Sequence, residues 1–129
     1  MPPVTPRSVR PLILVVDDDP DMRDLVRKHL AGAGYEVAQA EGAAAAHQRL
    51  AERMPDLIVT DINMPETSGV EFVASLRQDS VLAQIPVIYL TSLETDTELV
   101  VSTLGYPLLT KPLNPPELLA LVKRQLPKP

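Results

Sequence analysis

Asp17-Asp18, Asp61, Thr91 and Lys111 are the residues of this chain whose types and spacing could do chemistry. Each stands just past a short apolar or β-branched run: Leu12 to Val16, Leu57 to Thr60, Val87 to Leu90 and Leu108 to Thr110. Runs of that length predict buried strands. Each candidate is then placed at the C-terminal end of a strand, and in an open parallel sheet those ends line the edge where ligands bind. Gathered there, Asp17, Asp18 and Asp61 would repel one another and raise at least one pKa unless a cation sat among them. Magnesium suits such a pocket, because it takes hard oxygen ligands and often uses only one or two carboxylates. A carboxylate can also attack phosphorus and form an acyl phosphate, a transfer that needs mainly positioning and charge compensation. Lys111 would supply the compensating charge and Thr91 a hydrogen bond to a phosphoryl oxygen. Taken singly, Asp17-Asp18 reads equally as a solvated turn, Thr91 as an ordinary strand end and Lys111 as an exposed lysine before a helix. Their convergence carries the reading.

The elements that must position these residues follow from periodicity. Leu12 to Val16 is a continuous apolar run, as in a strand buried on both faces. Asp19-Pro20 opens a helix with Asp as N-cap and Pro at the first helical position. Met22, Leu25, Val26, His29 and Leu30 keep the 3.6 period, and Gly32 and Gly34 supply the stop. Tyr35 to Gln39 is a short second strand, and Ala43 to Arg53 a second helix. Leu57 to Thr60 is the third strand. A helix over about Ser68 to Gln78 follows, with Val70, Val73 and Leu76 inward. Val87 to Leu90 is the fourth strand, and Thr95 to Leu104 is a helix weakened by its β-branched residues. Leu108 to Thr110 forms the fifth strand. Pro112 after Lys111 fixes the chain direction, with a cis peptide expected at that turn. Asn114-Pro115-Pro116-Glu117 starts the last helix, which turns Leu118, Leu121, Val122 and Leu126 to one face. Five strands alternating with five helices predict an α/β fold, a doubly wound five-stranded parallel sheet of (βα)5 type.

The bulk composition narrows the function classes. With 129 residues the chain suits one domain, expected over 11–126, with tails at 1–10 and 127–129. The absence of cysteine removes disulfide and thiol chemistry and fits a reducing compartment. No apolar run approaches the roughly 20 residues of a membrane span, and Met1 to Arg10 lacks the apolar core of a secretory signal. A formal charge of −5, scattered basic residues and 3% aromatics give no nucleic-acid footprint. His29 and His47 stand alone, without the partners a zinc site needs. Walker, nucleophile-elbow and dinucleotide motifs are missing. Asp17-Asp18-Asp19 does not continue as a calcium loop.

Together the segments LVVDDDP (14–20), DLIVTDINMP (56–65), SGVEFVASL (68–76), IPVIYLTS (85–92) and Thr110-Lys111-Pro112 resemble the receiver domain of two-component response regulators, chemotaxis-regulator-like, over nearly the whole chain. The resemblance implies a flavodoxin-like strand order 2-1-3-4-5. It implies Asp61 as phospho-acceptor and Mg2+ held by Asp18, Asp61 and the backbone carbonyl of Asn63, with Asp17 acting through water. Thr91 and Lys111 would hold the phosphoryl oxygens, and phosphorylation would draw Thr91 inward and shift a protein-protein surface. The implied donor is a sensor histidine kinase or a histidine phosphotransfer protein. Output would pass to a downstream protein effector or through self-dimerisation, in the cytoplasm, with neither nucleic acid nor membrane as partner. Such a protein is not an enzyme beyond its own aspartyl phosphorylation and dephosphorylation.

Three departures from the family pattern bear on output. The usual switch aromatic, three residues before the lysine, is Leu108 here, with Tyr106 two residues earlier as a possible substitute. The stretch between Thr91 and Lys111 is about two residues short of the family's usual spacing. Leu93, apolar, stands where an attacking water would be admitted, and is expected to slow acyl-phosphate hydrolysis. A phosphorylation-independent docking or localisation module is the alternative, favoured by Leu108 and opposed by the complete acidic, hydroxyl and lysine set. A Mg2+-dependent phosphohydrolase is a third reading, weakened because no Asp-x-Asp pairing sets a general acid beside the acceptor.

Overall fold

The computed structural model describes residues 10–92 and 107–126. Among them the order is β1 (Leu12–Val16), α1 (Pro20–Gly32), β2 (Glu36–Ala40), α2 (Ala43–Glu52), β3 (Leu57–Asp61), α3 (Gly69–Arg77), a 3-10 turn (Leu82–Gln84), β4 (Val87–Thr91), β5 (Leu108–Thr110) and α4 (Pro115–Gln125). The strands form one parallel sheet in the order β2-β1-β3-β4-β5, as the family resemblance implied. The helix expected over Thr95 to Leu104, together with Leu93, Tyr106 and most of both tails, lies outside the described residues.

Period-two alternation divides the core between the two faces of the sheet. Leu14, Val16, Ile58, Val87 and Tyr89 point towards α2 and α3, where they meet Leu50, Phe72, Val73 and Leu76. Ile13, Val15, Val59, Ile88 and Leu90 point the other way, against Val26 and Leu30 of α1 and Leu118 and Val122 of α4. β1, β3 and β4 are buried along their whole length, which is why they read as unbroken apolar runs. Helices leaving β1 and β3 towards opposite faces open a crevice above the carboxyl ends of those two strands.

The helix starts follow their local signals. Asp19 caps α1 by accepting from the Asp21 and Met22 N–H groups at 2.9 and 3.5 Å. Ser68 and Glu71 form a reciprocal capping box at α3. Asn114 accepts from the Glu117 N–H at 3.0 Å, with Pro115 at the first helical position. Gly34, at φ 97°, takes the left-handed conformation that turns the chain from α1 into β2.

Several boundaries and faces differ from the expectation. Tyr35 is not in β2: its N–H still bonds the Leu30 carbonyl at the exit of α1, and pairing with β1 begins at Glu36 opposite Leu12. Leu25, expected inward, is 39% exposed, because α1 meets the sheet through the i, i+4 pair Val26 and Leu30. Val70 is only half-buried, and Phe72 takes its place in the core. His47 serves packing between helices: its ring meets Phe72 edge-on at 5.3 Å, and its Nε2 lies 3.3 Å from Ser75 Oγ. At the sheet margin Arg49 donates to the Gln39 carbonyl of β2 at 3.0 Å, and Arg53 forms a two-pronged ion pair with Glu36 at 2.8 and 2.9 Å.

Candidate functional site

The strand ends bring Asp17, Asp18, Asp61, Thr91 and Lys111 to one edge. Asp61 and Thr91 are the last residues of β3 and β4 themselves, one position further inside the strands than the sequence runs imply. Their backbones are held by the ladder, with Asp61 opposite Leu90 and Thr91 opposite Thr110. Asp17 directly follows β1, and its N–H bonds the Ala40 carbonyl at 3.1 Å. Lys111 directly follows β5, and its N–H bonds the Thr91 carbonyl at 2.7 Å. The Lys111–Pro112 peptide is cis, as expected for this turn.

Lys111 Nζ lies 3.1 Å from Asp61 Oδ2 and 3.3 Å from Asp17 Oδ2, so one ammonium bridges two buried carboxylates. Asp17 is 2% exposed and Asp61 5%, whereas Asp18 is open to solvent. The second oxygens are also engaged: Asp17 Oδ1 accepts from the Asp19 N–H at 2.9 Å, and Asp61 Oδ1 from the Asn63 N–H at 3.1 Å. Arg23 of α1 donates to the Asp17 carbonyl at 2.7 Å and ties the acidic turn to the helix that follows it. Oxygens of Asp17, Asp18 and Asp61 lie within 4.8 Å of one another, a spacing and a hard-oxygen donor set that fit a divalent cation. A cleft of about 360 Å3 between the start of α2 and the loop after β3 opens on Asp18. Thr91 is fully buried, and its Oγ1 accepts from Asn63 Nδ2 at 3.4 Å.

Burial pushes the Asp17 carboxyl above its ordinary value of 3.8; the Asp19 N–H and Lys111 oppose the rise, and the charge of Asp61 adds to it. Burial works against the Lys111 ammonium too, but Asp17 and Asp61 outweigh it and hold the amine above 10.5. A raised carboxyl value means that the folded chain keeps this proton to higher pH than the unfolded chain does. Charged Asp17 therefore costs stability in full above its folded-state value, and the cost fades as pH falls towards 3.8. In chelator, Asp17→Asn is expected to be more stable than the unsubstituted protein at neutral pH, with the advantage shrinking on acidification. Urea melts at stepped pH measure the difference; a constant difference would contradict the assignment.

Two contacts were not legible in the sequence. Gly69 opens α3 directly against Asp61: a Cβ there would run into the Asp61 carbonyl oxygen and come within 3.0 Å of Ile62 Cα. Its N–H bonds the Ile62 carbonyl at 2.8 Å, pinning the helix start to the end of β3. The Gly in the segment SGVEFV was the available signal. The second contact, from the Asn63 carboxamide to Thr91, spans 28 residues and has no local signature. Of the two switch candidates, Leu108 packs against the α2–α3 face of the core, and Tyr106 lies outside the described residues.

A sheet of this order with this acidic edge defines a receiver-type α/β protein. The family model for the response regulator receiver domain matches residues 13–123, and the chain belongs to that family. It is 39% identical over 116 residues to the phosphate regulon transcriptional regulatory protein PhoB of Pseudomonas aeruginosa, covering 88% of this chain and 51% of that protein. It is 40% identical over 114 residues to an uncharacterized 14.6 kDa protein of Leptolyngbya boryana, covering 87% of each. Among solved structures, chemotaxis protein CheY4 of Vibrio cholerae superposes with a TM-score of 0.81 at 33% identity, covering 91% of this chain and 99% of that one. The chain spans about half the length of the PhoB relatives it matches. No described helix is long and apolar enough to cross a membrane.

Proposed function

We propose that residues 11–126 act as a phospho-accepting receiver, flanked by tails at 1–10 and 127–129, that takes a phosphoryl group onto Asp61 and switches a protein-protein surface. The observation that carries this reading is the Lys111 ammonium set between Asp17 and Asp61 at the carboxyl edge, with Asp18 open beside them. Asp18, Asp61 and the Asn63 carbonyl would hold Mg2+, with Asp17 acting through water. The ion, when bound, offsets the negative charge that crowds the acceptor and the incoming phosphoryl oxygens.

The protein's own residues do the rest. Asp61 Oδ presents a lone pair to phosphorus; as the new phosphorus–oxygen bond forms, the phosphorus–nitrogen bond of the donor's phosphohistidine breaks, and the imidazole departs with the electron pair. Lys111 loses none of its charge on transfer and pairs with a phosphoryl oxygen instead of the free carboxylate. Thr91 donates its hydroxyl to another. The donor is a sensor histidine kinase or a histidine phosphotransfer protein, and the recipient of the signal is a protein effector or a second copy, in the cytoplasm.

A docking module without a phosphorylation cycle is the second reading, and Leu108 in the place of the switch aromatic favours it. Intact mass after incubation with acetyl phosphate and Mg2+ separates the two. One added phosphoryl group, absent with EDTA and reduced at least tenfold in Asp18→Asn at limiting Mg2+, is the expected result. A folded protein that takes neither a phosphoryl group nor beryllofluoride overturns the acceptor reading.

A further inference from the structure

Arg23 closes the first turn of α1, where the helix dipole disfavours a cation, and has Asp19, Asp21 and Asp24 close to it in sequence. Among the described residues no carboxylate pairs with it; its Nη1 donates instead to the neutral Asp17 carbonyl at 2.7 Å. The β1–β2 ladder stops at that point. The Asp17 N–H still bonds the Ala40 carbonyl at 3.1 Å, but β2 ends at Ala40 and the chain turns away into α2. The half-buried guanidinium supplies the bond that the sheet no longer offers. We propose that Arg23 is a positioning residue for the cation site, fixing the Asp17–Asp18 peptide so that the Asp18 carboxylate stands where Mg2+ needs it, an inference that rests on the Mg2+ reading of the acidic edge.

Asp18 has little else to hold it. Its side chain is exposed and, among the described residues, makes no hydrogen bond or ion pair, whereas Asp17 and Asp61 are buried with both oxygens engaged. The direction of the Asp18 carboxylate is therefore set by its backbone. The Asp17 carbonyl and the Asp18 N–H belong to one rigid planar unit, so a bond to that carbonyl oxygen orients the residue that follows. At 2.7 Å, with a charged donor, the Arg23 bond is of the short, strong kind. Magnesium makes such orientation matter, since it demands near-ideal octahedral geometry, while Ca2+ accepts irregular shells. Charge alone gives the opposite expectation: a guanidinium beside the acidic edge repels a dication, so its removal would tighten binding. Positioning and repulsion thus differ in sign.

The test is Mg2+ affinity, followed by NMR through backbone amide shifts as the ion is added to the full chain, to Arg23→Met and to Arg23→Lys. Methionine keeps an unbranched stem and good helix propensity but has neither charge nor donor, and lysine keeps both. Arg23→Met is expected to bind Mg2+ about tenfold more weakly, the low end of the range for groups that orient a metal's ligands. Its Ca2+ affinity is expected to change by less than about threefold. Arg23→Lys is expected to recover most of the lost Mg2+ affinity, which restored repulsion could not do. Arg23→Gln, polar but too short to reach the carbonyl, is expected to follow Arg23→Met and serves in its place if the apolar side chain disturbs folding. Unchanged or tighter Mg2+ binding in the neutral variants overturns the proposal. So does an equal loss for Mg2+ and Ca2+, since that would be a general loosening of the turn. Failure of the unsubstituted protein to bind Mg2+ is a separate result, and it would overturn the Mg2+ reading of the acidic edge and this inference with it.

Discussion

Asp61→Asn is expected to abolish acyl-phosphate formation completely while leaving the protein at least as stable as before. The loss is chemical: an amide is no nucleophile towards phosphorus at neutral pH, and no other described carboxylate is both buried and paired with Lys111 except Asp17. Asp17 Oδ1 is held by the Asp19 N–H, and the residue sits at the start of the loop after β1. The gain in stability is electrostatic. Asp17 and Asp61 share one ammonium at this edge with Asp18 beside them, and the charge of Asp61 helps to raise the Asp17 carboxyl. Asparagine keeps the shape and an oxygen for the Asn63 N–H while removing one negative charge. In chelator the thermal midpoint is expected to rise by roughly 3–6 °C, the shift that about 1 kcal/mol produces in a domain of this size. Added Mg2+ then stabilises the substituted protein less than the original. Mass spectrometry with acetyl phosphate and a melt with and without EDTA read both halves; retained labelling would locate the acceptor elsewhere.

Gly69→Ala is expected to cost about 3 kcal/mol, the upper part of the range for forcing one methyl into a packed site. The obstacle is the Asp61 carbonyl and the Ile62 Cα, both backbone, so no side chain can swing aside. Relief requires α3 to withdraw from the end of β3, which breaks the 2.8 Å bond from Gly69 to Ile62 and turns Asp61 out of line with Lys111. Urea denaturation and the rate of phosphorylation should therefore fall together. A destabilisation below about 1 kcal/mol with unchanged phosphorylation would show that the helix start yields without moving the acceptor.

Most of this site could be read from the sequence because its parts are announced locally. A strand buried on both faces shows itself as an apolar run, and the polar residue that ends the run is conspicuous; this is how Asp17, Asp61, Thr91 and Lys111 stand out. The caps Asp19 and Asn114 are equally local, since the side chain bonds backbone two or three residues on. What escaped were properties of neighbours distant in sequence. Gly69 is required by a carbonyl eight positions earlier that the chain meets only after a turn. The Asn63 contact exists because β3 and β4 lie side by side. Tyr35 and Leu25 misled for a related reason: periodicity gives the spacing of a face, but what the element packs against decides where that face begins and ends.

The charged pairs on β2 carry a consequence for how copies of this protein can meet. β2 is the outermost strand on its side of the sheet, and Arg49 already occupies an edge carbonyl while Arg53 and Glu36 stand locked together across the same margin. A second chain trying to extend the sheet there would have to evict a guanidinium and break a two-pronged ion pair before its first backbone bond could form. That flank is closed to ribbon-like growth, and an assembly formed on this side of the sheet is built from side-chain surfaces, which can be made and unmade as conditions change.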